Sequence, residues 1–357
     1  MLKKFIIVFI SVCSLIQGAE TVDLLFVLQD AGETQALLPV ITLAEKNQKS
    51  YRILAGGVAQ DQLAAHPHLL TYASLDVSDR VDRTWKRDQK ISSESLSKIT
   101  SAVNAKKVVS GVAFEFQGQI LQAFAEKGSK TAAYWDNINP SGTDPYFAAA
   151  QKVATLAQKL LVPSEKFKSV FPDAHVVGQP SYEVWKEKVA AIDAAQVRAK
   201  LPLKPGKTIL FVGGYGKEYE EAFDLFLLAA KEMEECNILF SFHPKMGGAY
   251  ERTKSDTLLI EVSTMEGVAI ADQIVCHQST VGVQAASIGK PVFYLVPPAQ
   301  TYTNPVIETG LALRLQSAED LIQALQEDRS VSPLDFYQAL HLPENSAQLI
   351  LQELGDN

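Results

Sequence analysis

Residues 275–291 read VCHQSTVGVQAASIGKP, and this stretch decides the fold. Ile274, Val275 and Cys276 end a buried strand. His277, Gln278, Ser279 and Thr280 make a polar turn. Val283, Ala285, Ala286 and Ile288 follow at helical spacing, and Gly289 stops that helix before Pro291. Phe293 to Val296 supply the next strand. A strand, a polar turn and a short helix place free backbone N–H groups and two hydroxyls at a helix N-terminus, which suits a phosphate or another anion. The plainer alternative is that Ser279 or Thr280 only caps the helix, the commonest job for such a residue.

The same pattern extends outward in both directions. Ahead of the stretch lie a strand at Thr208–Val212, the turn Gly213-Gly214-Tyr215-Gly216 and a helix at Tyr219–Glu234. A strand at Ile238–Phe242 then ends in His243-Pro244, and Leu258–Val262 and Thr264–Ala271 give another strand and helix. Beyond it come a strand at Ala312–Leu315 and a helix at Ala318–Gln326 capped by Ser317. The first half repeats the alternation: strand Val22–Leu28, a turn through Asp30, Gly32, Glu33 and Thr34, and a helix from Ala36 to Lys46. Further strands are expected at Tyr51–Ala55, Leu69–Leu75, Val108–Gly111, Thr131–Trp135 and Leu160–Val162, with helices at Leu96–Asn104, Phe116–Lys127 and Tyr146–Gln158. Strands alternating with helices predict an α/β chain with parallel sheets covered on both faces. The expected layout is two Rossmann-like domains, 20–180 and 207–327, whose sheets face a central cleft, with a linker at 181–206 and C-terminal helices at 328–357.

At 357 residues the chain is long enough for two full cores, and 47% hydrophobic with 21% charged residues is ordinary for a globular protein. A formal charge of −8, with no basic patch carrying interleaved aromatics, argues against a nucleic-acid partner. The chain opens with Lys3 and Lys4, an apolar run from Phe5 to Ile16, and then Gln17, Gly18 and Ala19. The run is short of the roughly 20 residues that cross a bilayer. It has the form of a secretory signal cut after Gly18 or Ala19, or of an N-terminal membrane attachment, and both place the body outside the cytoplasm. Of Cys13, Cys236 and Cys276, none stands at metal-ligand spacing, and no metal is expected.

In open parallel sheets ligands bind beyond the carboxyl ends of the strands. The polar residues expected there are Asp30, Gly32, Glu33 and Thr34, then Gly56-Gly57, Glu115, and Asp136 to Asn139 in the first half. In the second half they are Gly213 to Gly216, His243, Ser279-Thr280 and Thr301 to Asn304. Asp30 and Glu33 are the acid candidates for a general base, and the alternative for Glu33 is to complement the dipole at a helix N-terminus. Asp136 and Asn137 are candidates on the acceptor side. His243 sits at a strand end before a proline, placed to hydrogen-bond a phosphate or ribose. His277 is a weaker candidate of the same kind.

Taken together these motifs resemble the GT-B glycosyltransferase fold and its non-transferring relative, UDP-N-acetylglucosamine 2-epimerase. Val177-Gly178-Gln179-Pro180 resembles the segment that leaves the first domain in these families, and Phe242-His243-Pro244 resembles their His-Pro segment. Ser279-Thr280, Gln284-Ala285 and Gly289-Lys290-Pro291 resemble the donor-site element, with Thr303-Asn304-Pro305 and Gly310-Leu311 as its tail. The resemblance implies that His243, Ser279 and Thr280 hold the nucleotide and its phosphates, with Gly213, Gly214 and Tyr215 close to the phosphates. It implies that Gln284 stands where many relatives place a Glu on the donor ribose. Lys217 and Lys245 are the candidates to neutralise a diphosphate.

The expected activity is therefore transfer of a sugar from a nucleotide-activated donor to a glycan or small-molecule acceptor, with no cofactor. Two rivals stand beside it. One is an exported two-lobed protein that binds a small ligand, favoured by the N-terminal segment. The other is a catalytically silent GT-B-like module.

Overall fold

The computed structural model describes residues 19–142, 145–214, 216–243, 248–254 and 259–355. The signal-like segment 1–18, Tyr215, Pro244, Lys245 and Leu258, all singled out above, lie outside the described residues. The chain divides into two compact units.

The first unit is the chain up to Pro180 together with the stretch from Asn345 onward. Its elements are β1 (Glu20–Leu28), α1 (Ala31–Lys46), β2 (Tyr51–Ala55), α2 (Gly57–Gln62), β3 (Leu69–Thr71), α3 (Ser93–Ala102), β4 (Val103–Ser110), α4 (Glu115–Glu126), β5 (Lys130–Tyr134), α5 (Pro145–Leu156), β6 (Lys159–Val162) and β7 (His175–Val176). The seven strands form one parallel sheet in the order β3-β2-β1-β4-β5-β6-β7. The run Leu24–Leu28 is wholly apolar because a central parallel strand is covered on both faces. Alternate residues feed two cores. Leu24, Phe26 and Leu28 pack with Leu37, Val40 and Ile41 of α1, whereas Leu25 and Val27 pack with Val108, Phe116 and Phe124.

The second unit spans Ser181–Glu344. It contains α6 (Pro180–Ala190), α7 (Ala194–Lys200), β8 (Thr208–Val212), α8 (Lys217–Lys231), β9 (Asn237–Ser241), α9 (Ala249–Lys254), β10 (Ile260–Glu261), α10 (Thr264–Ile270), β11 (Gln273–Cys276), α11 (Thr280–Ser287), β12 (Val292–Leu295), α12 (Pro305–Glu308), β13 (Ala312–Leu315), α13 (Ala318–Gln326) and α14 (Pro333–Leu340). Six parallel strands run in the order β10-β9-β8-β11-β12-β13. Phe211 of β8 anchors one face, with its ring 4.2 Å from that of Phe226 and stacked 5.7 Å from that of Phe240. The last helix, α15 (Ser346–Glu353), returns to the first unit, where Ile350 and Leu351 join the core of Leu37 and Val40.

Several boundaries differ from expectation. Gly32, Glu33 and Thr34 do not form a turn; they are the first turn of α1, which begins at Ala31. Asp30 caps it, its carboxylate accepting the Ala31 N–H at 2.7 Å, while Glu33 accepts the Asp30 N–H at 2.9 Å. This is a capping box, which starts a helix where the apolar periodicity alone sees none. Ser92 likewise starts α3 earlier than expected, and Val103 and Asn104 belong to β4. Residues 181–206, expected as a linker, carry α6 and α7 and count with the second unit.

Candidate active site

Both sheets begin in the middle and grow outward in two directions. In the second unit β8 leads to β9 and β10 on one side, and β11 leads to β12 and β13 on the other. The connections after β8 and β11 therefore leave the sheet on opposite faces and open a crevice at the strands' carboxyl ends, where open α/β sheets bind ligands.

That crevice is a cavity of about 530 Å³ lined by Val212, Gly213, Gly214, Gly216, Lys217, Glu218, His243, His277, Gln278, Ser279 and Thr280. Five of the seven residues proposed for nucleotide and phosphate binding meet here: Gly213, Gly214, His243, Ser279 and Thr280. Gly213 lets the ends of β8 and β9 close together. A Cβ there would fall 2.7 Å from the Ser241 carbonyl oxygen and 3.0 Å from the His243 nitrogen. Gly214 lies against the Tyr219 ring, and Tyr219 is anchored from below, its hydroxyl donating to the buried Glu251 Oε1 at 2.7 Å.

The N-termini of α8 and α11 both open on the cavity with the positive ends of their dipoles. Ser279 is the N-cap of α11, its side chain accepting the Val281 N–H at 3.2 Å. The Tyr294 hydroxyl fixes the turn by donating to the Ser279 carbonyl at 3.0 Å. Thr280, the first helical residue, is exposed. Of the other two, Tyr215 lies outside the described residues, and Gln284 lies one turn further along α11, buried and not among the residues that line this cavity. The helix turns the 284 position toward the protein while its N-terminus faces the cavity.

The cavity also holds Lys217 and His277, named above as further candidates, and Glu218 and Gln278, which were not. Lys217 adds a cation at the start of α8. Gln278 donates to Glu218 at 3.2 Å. His277 is buried, with its Nε2 2.6 Å from Gln300 Oε1. Burial holds this imidazole below its usual range. Position supplies the signal for these residues: each directly follows a central strand or opens the helix after it.

In the first unit the reversal falls between β1 and β4. Here a buried carboxylate takes the space between the two strand ends. Glu33 is fully buried, and its Oε1 accepts the backbone N–H groups of Gln29 and Asp30 and the Gln117 Nε2 at 2.9 Å. Desolvation, the largest influence, pushes its carboxyl up to about 8. Glu33 thus takes a capping position at the start of α1, buried and with no opening to solvent. Asp30 is partly exposed, its Oδ2 accepting from Arg87 at 2.9 Å. Arg87 also donates to the Ala113 carbonyl at 2.9 Å and lies over the Phe114 and Tyr146 rings. Asp136 accepts from the Tyr146 hydroxyl at 2.7 Å, and burial above all pushes its carboxyl up to about 6. Asn137 turns inward on its own loop, accepting the Asn139 N–H at 2.9 Å. Arg87 is 57 positions from Asp30 and carries no local signal in the sequence. Among the described residues no three His, Cys, Asp or Glu side chains converge as metal ligands.

No family model and no curated protein sequence matches the chain. Solved structures do. UDP-GlcNAc 2-epimerase from Methanocaldococcus jannaschii is similar at a TM-score of 0.66 and 14% identity, covering 94% of this chain and 100% of its own. UDP-GlcNAc 2-epimerase from Neisseria meningitidis, bound to UDP-GlcNAc, is similar at a TM-score of 0.64 and 15% identity with the same coverage. MurG from Acinetobacter baumannii gives 0.62 at 15% identity, again covering 94% and 100%. At such identities the likeness speaks for architecture alone. Two parallel-sheet α/β units in this order give the chain the GT-B-like fold of those epimerases and of MurG.

Proposed function

We propose that the chain binds a nucleotide-activated sugar in the cavity of the second unit and transfers the sugar to a glycan or small-molecule acceptor. One observation carries this: five residues chosen for their motifs line a single cavity where two helix N-termini open. The UDP-GlcNAc bound to the Neisseria meningitidis structure supports a ligand of that class. In the transfer, the acceptor oxygen forms a bond to the anomeric carbon as the bond to the diphosphate oxygen breaks. The departing charge meets the N–H groups of α8 and α11, with Lys217 beside them. These donors support the metal-independent displacement proposed here. The acceptor hydroxyl gives its proton to a base, for which Asp30 is the candidate on sequence grounds. The N-terminal Lys3-Lys4 and Phe5–Ile16 support an exported or membrane-attached location, which fractionation of cells carrying a tagged chain tests.

The same N-terminal segment favours a second reading, an exported protein that binds a small ligand without turnover. A thermal-shift screen with UDP, GDP, CMP and their sugars separates the two. A Tm rise with a nucleotide, lost in His243→Ala and Ser279→Ala, supports the transferase. A rise only with a free sugar or amino acid moves the assignment to the binder.

A further inference from the structure

One buried polar side chain in the cavity has no part in the displacement above. His277 directly follows β11, is 5% exposed and lines the cavity. Its Nε2 lies 2.6 Å from Gln300 Oε1. The Gln300 amide is itself held, its Nε2 donating to the Glu218 carbonyl at 2.9 Å and to Glu221 Oε2 at 3.4 Å. The opposite amide orientation would press Oε1 against those two oxygens. Oε1 therefore faces His277 and takes its hydrogen bond. Nε2 carries the hydrogen, so a neutral ring keeps its lone pair on Nδ1. Burial, which holds the imidazole below its usual range, favours that neutral form. Among the described residues no donor bonds to Nδ1.

An acceptor nitrogen of this kind repels a phosphate oxygen and attracts a hydroxyl hydrogen. We propose that His277 is a specificity-determining residue whose Nδ1 accepts a hydrogen bond from a hydroxyl group of the bound nucleotide sugar, on its ribose or on its sugar. This rests on the nucleotide-sugar reading of the cavity. The phosphates fall to Lys217 and the two helix N-termini, and His277 marks where the ligand changes from charged oxygens to hydroxyls. The Glu221–Gln300 pair acts through His277 as a positioning device that selects its tautomer.

Calorimetric titration of the full chain with UDP, 2′-deoxy-UDP, 3′-deoxy-UDP and UDP-N-acetylglucosamine tests this on the wild type, His277→Phe and His277→Asn. His277→Phe is expected to weaken the hydroxyl-bearing ligand about tenfold, the size of one hydrogen bond, and to leave the analogue lacking that hydroxyl unchanged. His277→Asn, which keeps an acceptor oxygen near Nδ1, restores most of the loss. A drop seen with UDP but not with one deoxy analogue places the hydroxyl on the ribose. A drop seen only with UDP-N-acetylglucosamine places it on the sugar. In the wild type, the imidazole ¹⁵N spectrum at neutral pH should show a pyridine-like Nδ1 that moves when the ligand binds. Equal weakening of all four ligands, or a hydrogen on Nδ1 in the free chain, overturns the proposal alone. Failure of the wild type to bind any of the four overturns the nucleotide-sugar reading and this proposal with it.

Discussion

Glu33 and Gly111 share one buried space at the carboxyl ends of β1 and β4. A Cβ on Gly111 would fall 1.7 Å from Glu33 Oε2 and 2.8 Å from Glu33 Cβ. The Glu33 side chain cannot swing aside without releasing the N–H groups of Gln29, Asp30 and Gln117. Gly111→Ala is therefore expected to destabilise the first unit by about 3 kcal/mol, the upper part of the range for overpacking. Urea denaturation checks it. Unchanged stability would mean that the crevice yields.

Glu33 also makes stability depend on pH. Its carboxyl is pushed up to about 8 in the folded chain, by burial first, from an ordinary 4.5. Between those values the folded state holds a proton that the unfolded state has lost. The contribution is complete below the unfolded value and fades as pH rises toward 8, with a slope of at most about 1.4 kcal/mol per pH unit. Glu33→Gln keeps the acceptor oxygen and removes the titration. Its denaturation midpoints from pH 5 to 9 should fall less steeply than those of the wild type. Parallel curves for the two proteins would contradict this.

How far the sequence foretells these features depends on the range over which their causes act. Strand and helix alternation is local, so apolar runs such as Leu24–Leu28 and Phe211 with its neighbours place both sheets. The cavity is legible because topology gathers residues that each follow a central strand: Gly213 after β8, His243 after β9, and Ser279 after β11. The same logic does not give the direction of Gln284, which depends on the rotation of α11. It misses Arg87, which reaches Asp30 from a loop far along the chain. The sequence allows Glu33 both as a base and as a dipole partner, and only packing against Gly111 and Gln117 distinguishes a sealed carboxyl from an open one.

Ser279 and Thr280 should separate under mutation. Ser279 caps α11 through the Val281 N–H, so Ser279→Ala is expected to lower stability by about 1 kcal/mol and to weaken nucleotide binding. Thr280 is exposed at the first helical position, and Thr280→Ala should change stability by less than about 0.5 kcal/mol. Any loss of affinity in Thr280→Ala then reports ligand contact rather than helix damage. Paired urea melts and UDP titrations make the comparison. Equal stability of the two variants would remove the capping role given to Ser279.

The helix α15 follows the second unit in the chain yet completes the core of the first. Ile350 and Leu351 are fully buried and Leu354 nearly so, packed in the cluster that holds Leu37, Val40 and Ile41 of α1. The end of the helix is pinned by Lys159, whose Nζ donates to the Glu353 carboxylate at 2.9 Å and to the Glu353 carbonyl at 2.7 Å. His175 Nδ1 approaches the same carboxylate at 2.8 Å. The two kinds of contact differ greatly in weight. Glu353→Gln loosens a partly exposed ion pair and should cost less than about 1 kcal/mol. Leu351→Ala leaves a cavity under α1 and should destabilise the first unit by about 2–5 kcal/mol. Denaturant melts of both variants, read by hydrogen exchange at the α1 amides, test this order. Comparable losses from the two variants would mean that the ion pair, not apolar burial, seats the helix.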